Sequence, residues 1–569
     1  MRRLNRGLVF LLLISIASAQ SAAQLKTPLT DPIEPFRIQP GSTFTASGGV
    51  PGTRPEAMPE SPSPMAAEIF EAEQLIRGNH IDNPKLSTDE LTKSALEGML
   101  RSLDPHSNYY DRAEWKELLD EQRSGYTGIG ATIATFQRNE EFFTYILSTF
   151  PGSPAERASL RFGDRVIAIN GESMAGKTTD VVRDKVRGAM GTAFRLTVER
   201  AANLREETIE IKRNRVPQPS IPDAYILRPG IGYIELSEGF NYTTADEFDV
   251  AMRELKRRGM RSLVLDLRNN GGGIVDQAVK IAERFLPAGQ LILSQRGRTR
   301  IDNRVWKSKN PNPEQLPLVI LVNENTASAS EIVAGAFQDD DRAMIVGEKT
   351  FGKGLVQSVL DLPGKTGLTL TTARYLTPSG RSIQRDYSKL NLYDYFNHKT
   401  ASTEIGKPYF EARTITDRKV FGGDGVHPDE AVATVQLNRS QLALLDPIFQ
   451  FSREVANGRI DGLGDYRLRP GPFGQRITAS DFPFSERLFA AFVEYSRTNG
   501  SRISPSSLAA ESDFIKLRLR YNIVMASFGA VSANQVITED DAQVAKAIES
   551  LPRSAKLANL ARQIRKTKK

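Results

Sequence analysis

The chain has no cysteine, only four histidines and only two tryptophans in 569 residues. Without cysteine there is no disulfide, no thiol nucleophile, no thiolate metal ligand and no N-terminal cysteine to carry a lipid. The histidines, His80, His106, His398 and His427, are scattered and no H-E-x-x-H occurs, so nothing calls for a metal or another cofactor. The net charge of +7 owes part of its size to the two ends, and no basic stripe with interleaved aromatics appears. A solvated basic surface accounts for it, and no nucleic-acid partner is expected.

Long apolar runs are also missing. Residues 8–17 form an apolar stretch too short to span a bilayer comfortably, preceded by Arg2, Arg3 and Arg6 and followed by the small-residue sites Ala17-Ser18-Ala19 and Ser21-Ala22-Ala23. Residues 1–23 therefore read as a secretory signal, with an uncleaved membrane anchor as the alternative, and the expected location is the periplasm or cell envelope. Residues 24–65 are rich in Pro, Ser, Thr and Gly and read as a linker. Residues 66–119 turn helical, with Ile69, Ala72 and Ile76 on one periodic face and Leu91, Ala95, Leu96, Met99 and Leu100 on another.

The chemistry concentrates in residues 318–357. The apolar run 318–322 reads as a buried strand, a turn of small residues follows (Thr326, Ala327, Ser328, Ala329, Ser330), and 331–339 carries apolar residues at helical spacing. Ser328 thus sits where a strand hands over to a helix, near the positive end of the helix dipole, which favours developing negative charge. A serine needs a base, and no histidine lies in this stretch. A lysine serves when burial disfavours its ammonium form, and Lys353, flanked by Gly352 and Gly354 and 25 residues after Ser328, is the candidate. Gln357 is placed to orient its amine by hydrogen bonding.

The sequence T-A-S-A-S-E-I-V-A-G-A, followed by G-E-K-T-F-G-K-G-L-V-Q, resembles the carboxyl-terminal processing peptidases, the tail-specific Ser-Lys proteases of family S41. That resemblance implies Ser328 as nucleophile, Lys353 as base and Gln357 as its support. It also implies an oxyanion hole from Gly273, or its neighbour Gly272, in the Asn269-Asn270-Gly271-Gly272-Gly273 turn, together with Ala329. Residues 120–213 resemble a PDZ domain. Thr127-Gly128-Ile129-Gly130 looks like its carboxylate-binding loop, in which backbone N–H groups cradle a peptide terminus. Arg187, at the end of the PDZ helix, is the candidate for coupling that domain to the core. His106 and His427 read as structural.

The expected architecture is multidomain α/β: the helical segment, the PDZ domain, an α/β crotonase-like peptidase core over 214–434 with a largely parallel sheet, and a helical extension over 435–569 without a catalytic motif. The expected function is that of a serine endopeptidase acting near the C-termini of proteins or peptides with a free carboxylate. The helical ends offer surfaces for a homo-oligomer, and an envelope adaptor is a further partner compatible with export. Two other readings remain, a catalytically silent PDZ scaffold and an acyl-CoA enzyme. Intact Ser328 and Lys353 oppose the first; the PDZ insertion and export signal oppose the second.

Overall fold

The computed structural model describes residues 64–81, 87–138, 141–388, 392–397, 410–469, 471–499 and 503–567. The signal segment, nearly all of the linker and His398 lie outside them. None of the described helices is long and apolar enough to cross a membrane.

The core is built on a six-stranded sheet in the order Asp223–Arg228, Ile231–Glu235, Ser262–Asp266, Leu318–Val322, Met344–Gly347 and Glu430–Ala431. The first pair is antiparallel and every later pair is parallel. Parallel strands are covered on both faces, which is why 318–322 is an unbroken apolar run rather than an alternating one. On one face lie the helices Thr244–Arg257, Val275–Glu283 and Ala329–Asp339, packed on Leu263, Leu265, Ile320 and Val322. On the other, Val544, Ala547 and Leu551 of the helix Ala542–Thr567 pack on Val264, Leu321, Met344 and Val346.

A second sheet carries the hairpin Leu355–Leu362 and Thr366–Leu376, joined by Leu291–Gly297, Arg304–Lys307 and Asn108–Tyr110. The strands Leu291–Gly297 and Arg304–Lys307 lie outside the sequence expectations. Asn108–Tyr110 corrects one: this piece of the expected helical segment pairs with Gly367–Thr369 and belongs to the core sheet. The helix Arg112–Glu121 follows, with buried Trp115 seated so closely over Gly367 that a Cβ there would lie 2.2 Å from the indole.

The PDZ unit is a sheet in the order Ala131–Arg138, Glu141–Thr149, Arg165–Ile169, Ala193–Glu199 and Glu206–Lys212, flanked by the helix Thr179–Val186. Ala131–Arg138 is its edge strand. The C-terminal extension is not a free tail. From the helix Arg439–Ala456, Phe449 stacks on Phe136 of the PDZ sheet with ring centroids 3.6 Å apart. Fully buried Arg453 reaches Gly163 O at 2.7 Å and Glu199 at 2.7 Å. The extension therefore packs on the PDZ unit at one end and on the core sheet at the other.

Candidate active site

Ser328 closes the turn between the strand Leu318–Val322 and the helix Ala329–Asp339, with φ 60° and ψ −118°. A non-glycine residue held there costs on the order of 1–3 kcal/mol, so the surroundings must enforce it. They do so on both sides of the peptide. The Ser328 N–H donates to Glu331 Oε2 at 2.8 Å, and Tyr375 Oη lies 3.0 Å from the Ser328 carbonyl. The Ser328 Oγ is buried and has no hydrogen-bond partner.

Lys353 leads into the strand Leu355–Leu362 and is 4% exposed. Its backbone is pinned by the same two groups: its N–H donates to Glu331 Oε2 at 2.9 Å, and Tyr375 Oη lies 2.6 Å from its carbonyl. One carboxylate oxygen thus accepts from both backbones, and one phenol lies between both carbonyls with its single proton toward the nearer, that of Lys353, clamping Ser328 and Lys353 together. The other oxygen of Glu331 accepts from Thr350 Oγ1 and from Gly352 N at 2.8 Å. Burial raises the Glu331 carboxyl from its usual range while these donors oppose the shift. Burial, then the Glu331 charge, pushes Tyr375 well above the usual phenol, so it stays a neutral donor. The sequence shows Glu331 three residues after Ser328, the spacing of a capping box, but says nothing of its link to Lys353. Gln357 is fully buried; its Nε2 donates to Thr371 Oγ1 at 3.1 Å and its Oε1 has no partner.

The glycine turn abuts Ser328. A Cβ on Gly272 would lie 2.7 Å from the Ser328 Cβ and 2.8 Å from the Ala329 N, so only glycine admits this approach. The two candidate glycines differ in their N–H groups. That of Gly272 is committed to Asn270 Oδ1 at 2.8 Å. Gly273 forms a parallel bridge with Phe240, which engages Gly272 O and Ile274 N and leaves the Gly273 N–H facing the opposite side. Geometry thus favours Gly273 over Gly272 as a donor. Ala329 heads its helix, where an N–H has no intrahelical acceptor. Asn270, unremarked in the sequence, locks the two turns: its Oδ1 also accepts from Ser330 Oγ at 2.7 Å, and its carbonyl accepts from Ala327 N at 2.9 Å.

His106 is not a surface turn residue. It is buried in the wall of this site with Nε2 2.8 Å from Tyr395 Oη. Burial, reinforced by the charges of Lys353 and Arg385, pushes its imidazole well below the usual value, so it is neutral.

In the PDZ unit the expected loop is partly strand: Gly125–Gly128, which includes Thr127, pairs with Asn214–Pro217, and only Ile129 and Gly130 lie between it and the edge strand. Arg187 sits with its guanidinium 5.1 Å from the Tyr126 ring centroid and pairs with Glu117 of the helix Arg112–Glu121. It therefore joins the carboxylate-loop region to the helix that carries Trp115. Among the described residues no cluster of His, Asp or Glu could hold a metal.

Comparison with known proteins gives the family. Residues 230–389 match peptidase family S41 and residues 147–200 match the PDZ domain family. A carboxy-terminal-processing protease of Bartonella bacilliformis is 35% identical over 322 residues, covering 56% of this chain and 71% of the relative. A probable CtpA-like serine protease of Staphylococcus aureus is 35% identical over 301 residues, covering 52% of this chain and 59% of its own. Among solved structures, a photosystem II D1 C-terminal processing protease aligns with a TM-score of 0.35 and 26% identity over 65% of this chain and 94% of its own. The chain belongs to the carboxy-terminal-processing serine proteases of peptidase family S41.

Proposed function

We propose that the protein is an exported endopeptidase of the Ser-Lys type that cuts protein substrates near free C-termini. The observation that carries this is the clamp: Glu331 and Tyr375 hold the backbones of Ser328 and Lys353 side by side, with the Ser328 hydroxyl buried and uncommitted.

In this reading Ser328 Oγ attacks the scissile carbonyl, forming the C–O bond as its proton passes to Lys353 Nζ. The carbonyl oxygen gathers negative charge, which the N–H groups of Gly273 and Ala329 stabilise. Collapse breaks the C–N bond, and Lys353 returns its proton to the leaving amine. Water then repeats the sequence on the acyl-enzyme, with Lys353 again taking the proton, and frees Ser328. No metal or cofactor enters these steps.

The PDZ unit would select the substrate. Its edge strand Ala131–Arg138 can accept an added strand, and Gly128, Ile129 and Gly130 lie at its start, where the terminal carboxylate would sit. The far end of that edge is closed, since Gln137 N donates to Asp446 Oδ1 at 2.9 Å. Through Glu117, Arg187 offers a route by which an occupied PDZ loop is felt in the core.

The test is covalent labelling with a fluorophosphonate, together with peptide hydrolysis. Wild type should label and cleave; Ser328→Ala should do neither while remaining folded. Turnover retained above about one per cent of wild type would overturn the assignment, since loss of a nucleophile costs on the order of 10⁴ or more.

A further inference from the structure

Resting on the Ser-Lys reading, we propose that Asp104 and Thr371 are positioning residues that fix the Gln357 amide in one of its two orientations, with Oε1 presented to the Lys353 side of the site. The argument is proton counting along a buried chain. Asp104, 8% exposed, accepts from His106 N at 2.7 Å, from Ser107 N at 3.0 Å and from Ser107 Oγ at 2.7 Å. Its Oδ1 also lies 3.0 Å from Thr371 Oγ1, and the Thr371 N–H donates back to Ser107 Oγ at 3.1 Å. An ionised carboxylate only accepts, and a hydroxyl has one proton. Thr371 spends that proton on Asp104, so toward Gln357 it can only accept. The group of Gln357 that faces it, 3.1 Å away, must then be the NH2. The oxygen is forced to the other side, where it is buried without a partner.

An amide looks alike in either orientation, but the two do opposite things to an amine base. With Oε1 inward, Gln357 would accept an N–H from Lys353 in its neutral and charged forms as the side chains close up during the reaction, and the lone pair of the neutral amine would stay available to Ser328. Reversed, the NH2 would compete for that lone pair and oppose the ammonium formed when Ser328 attacks. Among the described residues, Glu331, Tyr375, His106 and Arg385 also lie around this end of the site, and the Thr371 substitutions leave them in place.

The experiment compares full-length wild type with Thr371→Val and Thr371→Ser, measuring kcat, KM and the pH at which kcat rises. Thr371→Val removes the hydroxyl at nearly constant shape. It should lower kcat by up to ~10²-fold, the cost of a misplaced catalytic group, with KM little changed. The rising limb should move to lower pH, because a reversed amide disfavours the ammonium. Thr371→Ser should restore most of the rate and the wild-type limb. Asp104→Ala frees the Thr371 proton from the other side and should move the limb in the same direction; because it also removes a negative charge, only an unmoved limb in this variant is decisive, and the Thr371 pair carries the positive test. A folded Thr371→Val or Asp104→Ala with an unmoved limb overturns the proposal, even if kcat or Tm falls, because a merely structural role moves only those. Fluorophosphonate labelling separates the two readings: a label that does not depend on Ser328 sinks the Ser-Lys reading and this inference with it, whereas a Ser328-dependent label with an unmoved limb sinks this inference alone.

Discussion

Glu331→Gln is the substitution that most directly tests the clamp. Glu331 is fully buried, and its two oxygens take donors from Ser328, Lys353, Thr350 and Gly352. Glutamine has nearly the same shape but only one oxygen. With the NH2 toward Ser328 and Lys353 two hydrogen bonds are lost; turned the other way, the Thr350 hydroxyl can accept from the NH2 and only the Gly352 N–H loses its acceptor. Each buried donor left unsatisfied costs about 1–3 kcal/mol, so the site loses roughly 1–6 kcal/mol by orientation, less the cost of burying the original charge. At a net loss of ~3 kcal/mol the core should melt about 6–12 °C lower. The larger effect is on rate. The strained Ser328 turn and the Lys353 backbone exchange a charged shared anchor for a neutral, weaker one, and a displacement near 1 Å at reacting atoms can cost ~10²-fold. Steady-state hydrolysis and calorimetry on the same preparation read both effects. If Glu331→Gln keeps kcat within about threefold of wild type, the clamp does not position the dyad and the reasoning from geometry to catalysis fails.

Lys353→Arg should be nearly as inactive as Lys353→Ala, because arginine keeps the charge but cannot accept the Ser328 proton; substantial rescue by arginine in side-by-side kinetics would make Lys353 an electrostatic cation instead. Ser330→Ala should lose activity only several-fold and keep its Ser328-dependent label, because Ser330 bonds Asn270 behind the glycine turn; loss as complete as in Ser328→Ala would move the nucleophile assignment. A peptide with an amidated C-terminus should be cleaved at least several-fold more slowly than the free acid, and equal rates would remove the PDZ unit from tail recognition. Burial raises Asp223 and Glu235 to about 7 and Glu238 to about 8. In the folded state these carboxyls hold protons that the unfolded chain has released, so their contribution to stability is lost as pH rises from the ordinary carboxylate range through about 8. The Tm should fall across that window, and a flat or rising Tm by scanning calorimetry would contradict the burial of this cluster.

Features that repeat or punctuate locally are legible in the amino-acid order alone. The strand Leu318–Val322 is legible as five consecutive apolar residues, and the helical spacing over 331–339 marks the helix Ala329–Asp339. The small-residue turn at Ser328 and the glycines around Lys353 mark the candidate stretch, because a close backbone approach restricts residue choice at specific positions. Tertiary structure decided which distant polar groups meet. Ser328 and Lys353 share Glu331 only because the strand Met344–Gly347 lies beside Leu318–Val322 and returns the chain to the same sheet end. Asn108–Tyr110 joined the core because a hairpin edge was open to it. The extension, which carries no catalytic motif, found its place by burying Phe449 against Phe136 and Arg453 against Gly163 and Glu199. A helical apolar stripe announces that it will be covered but not by what, and a buried carboxylate has no spacing that names its donors; both are settled only when the chain closes and most buried polar groups find partners.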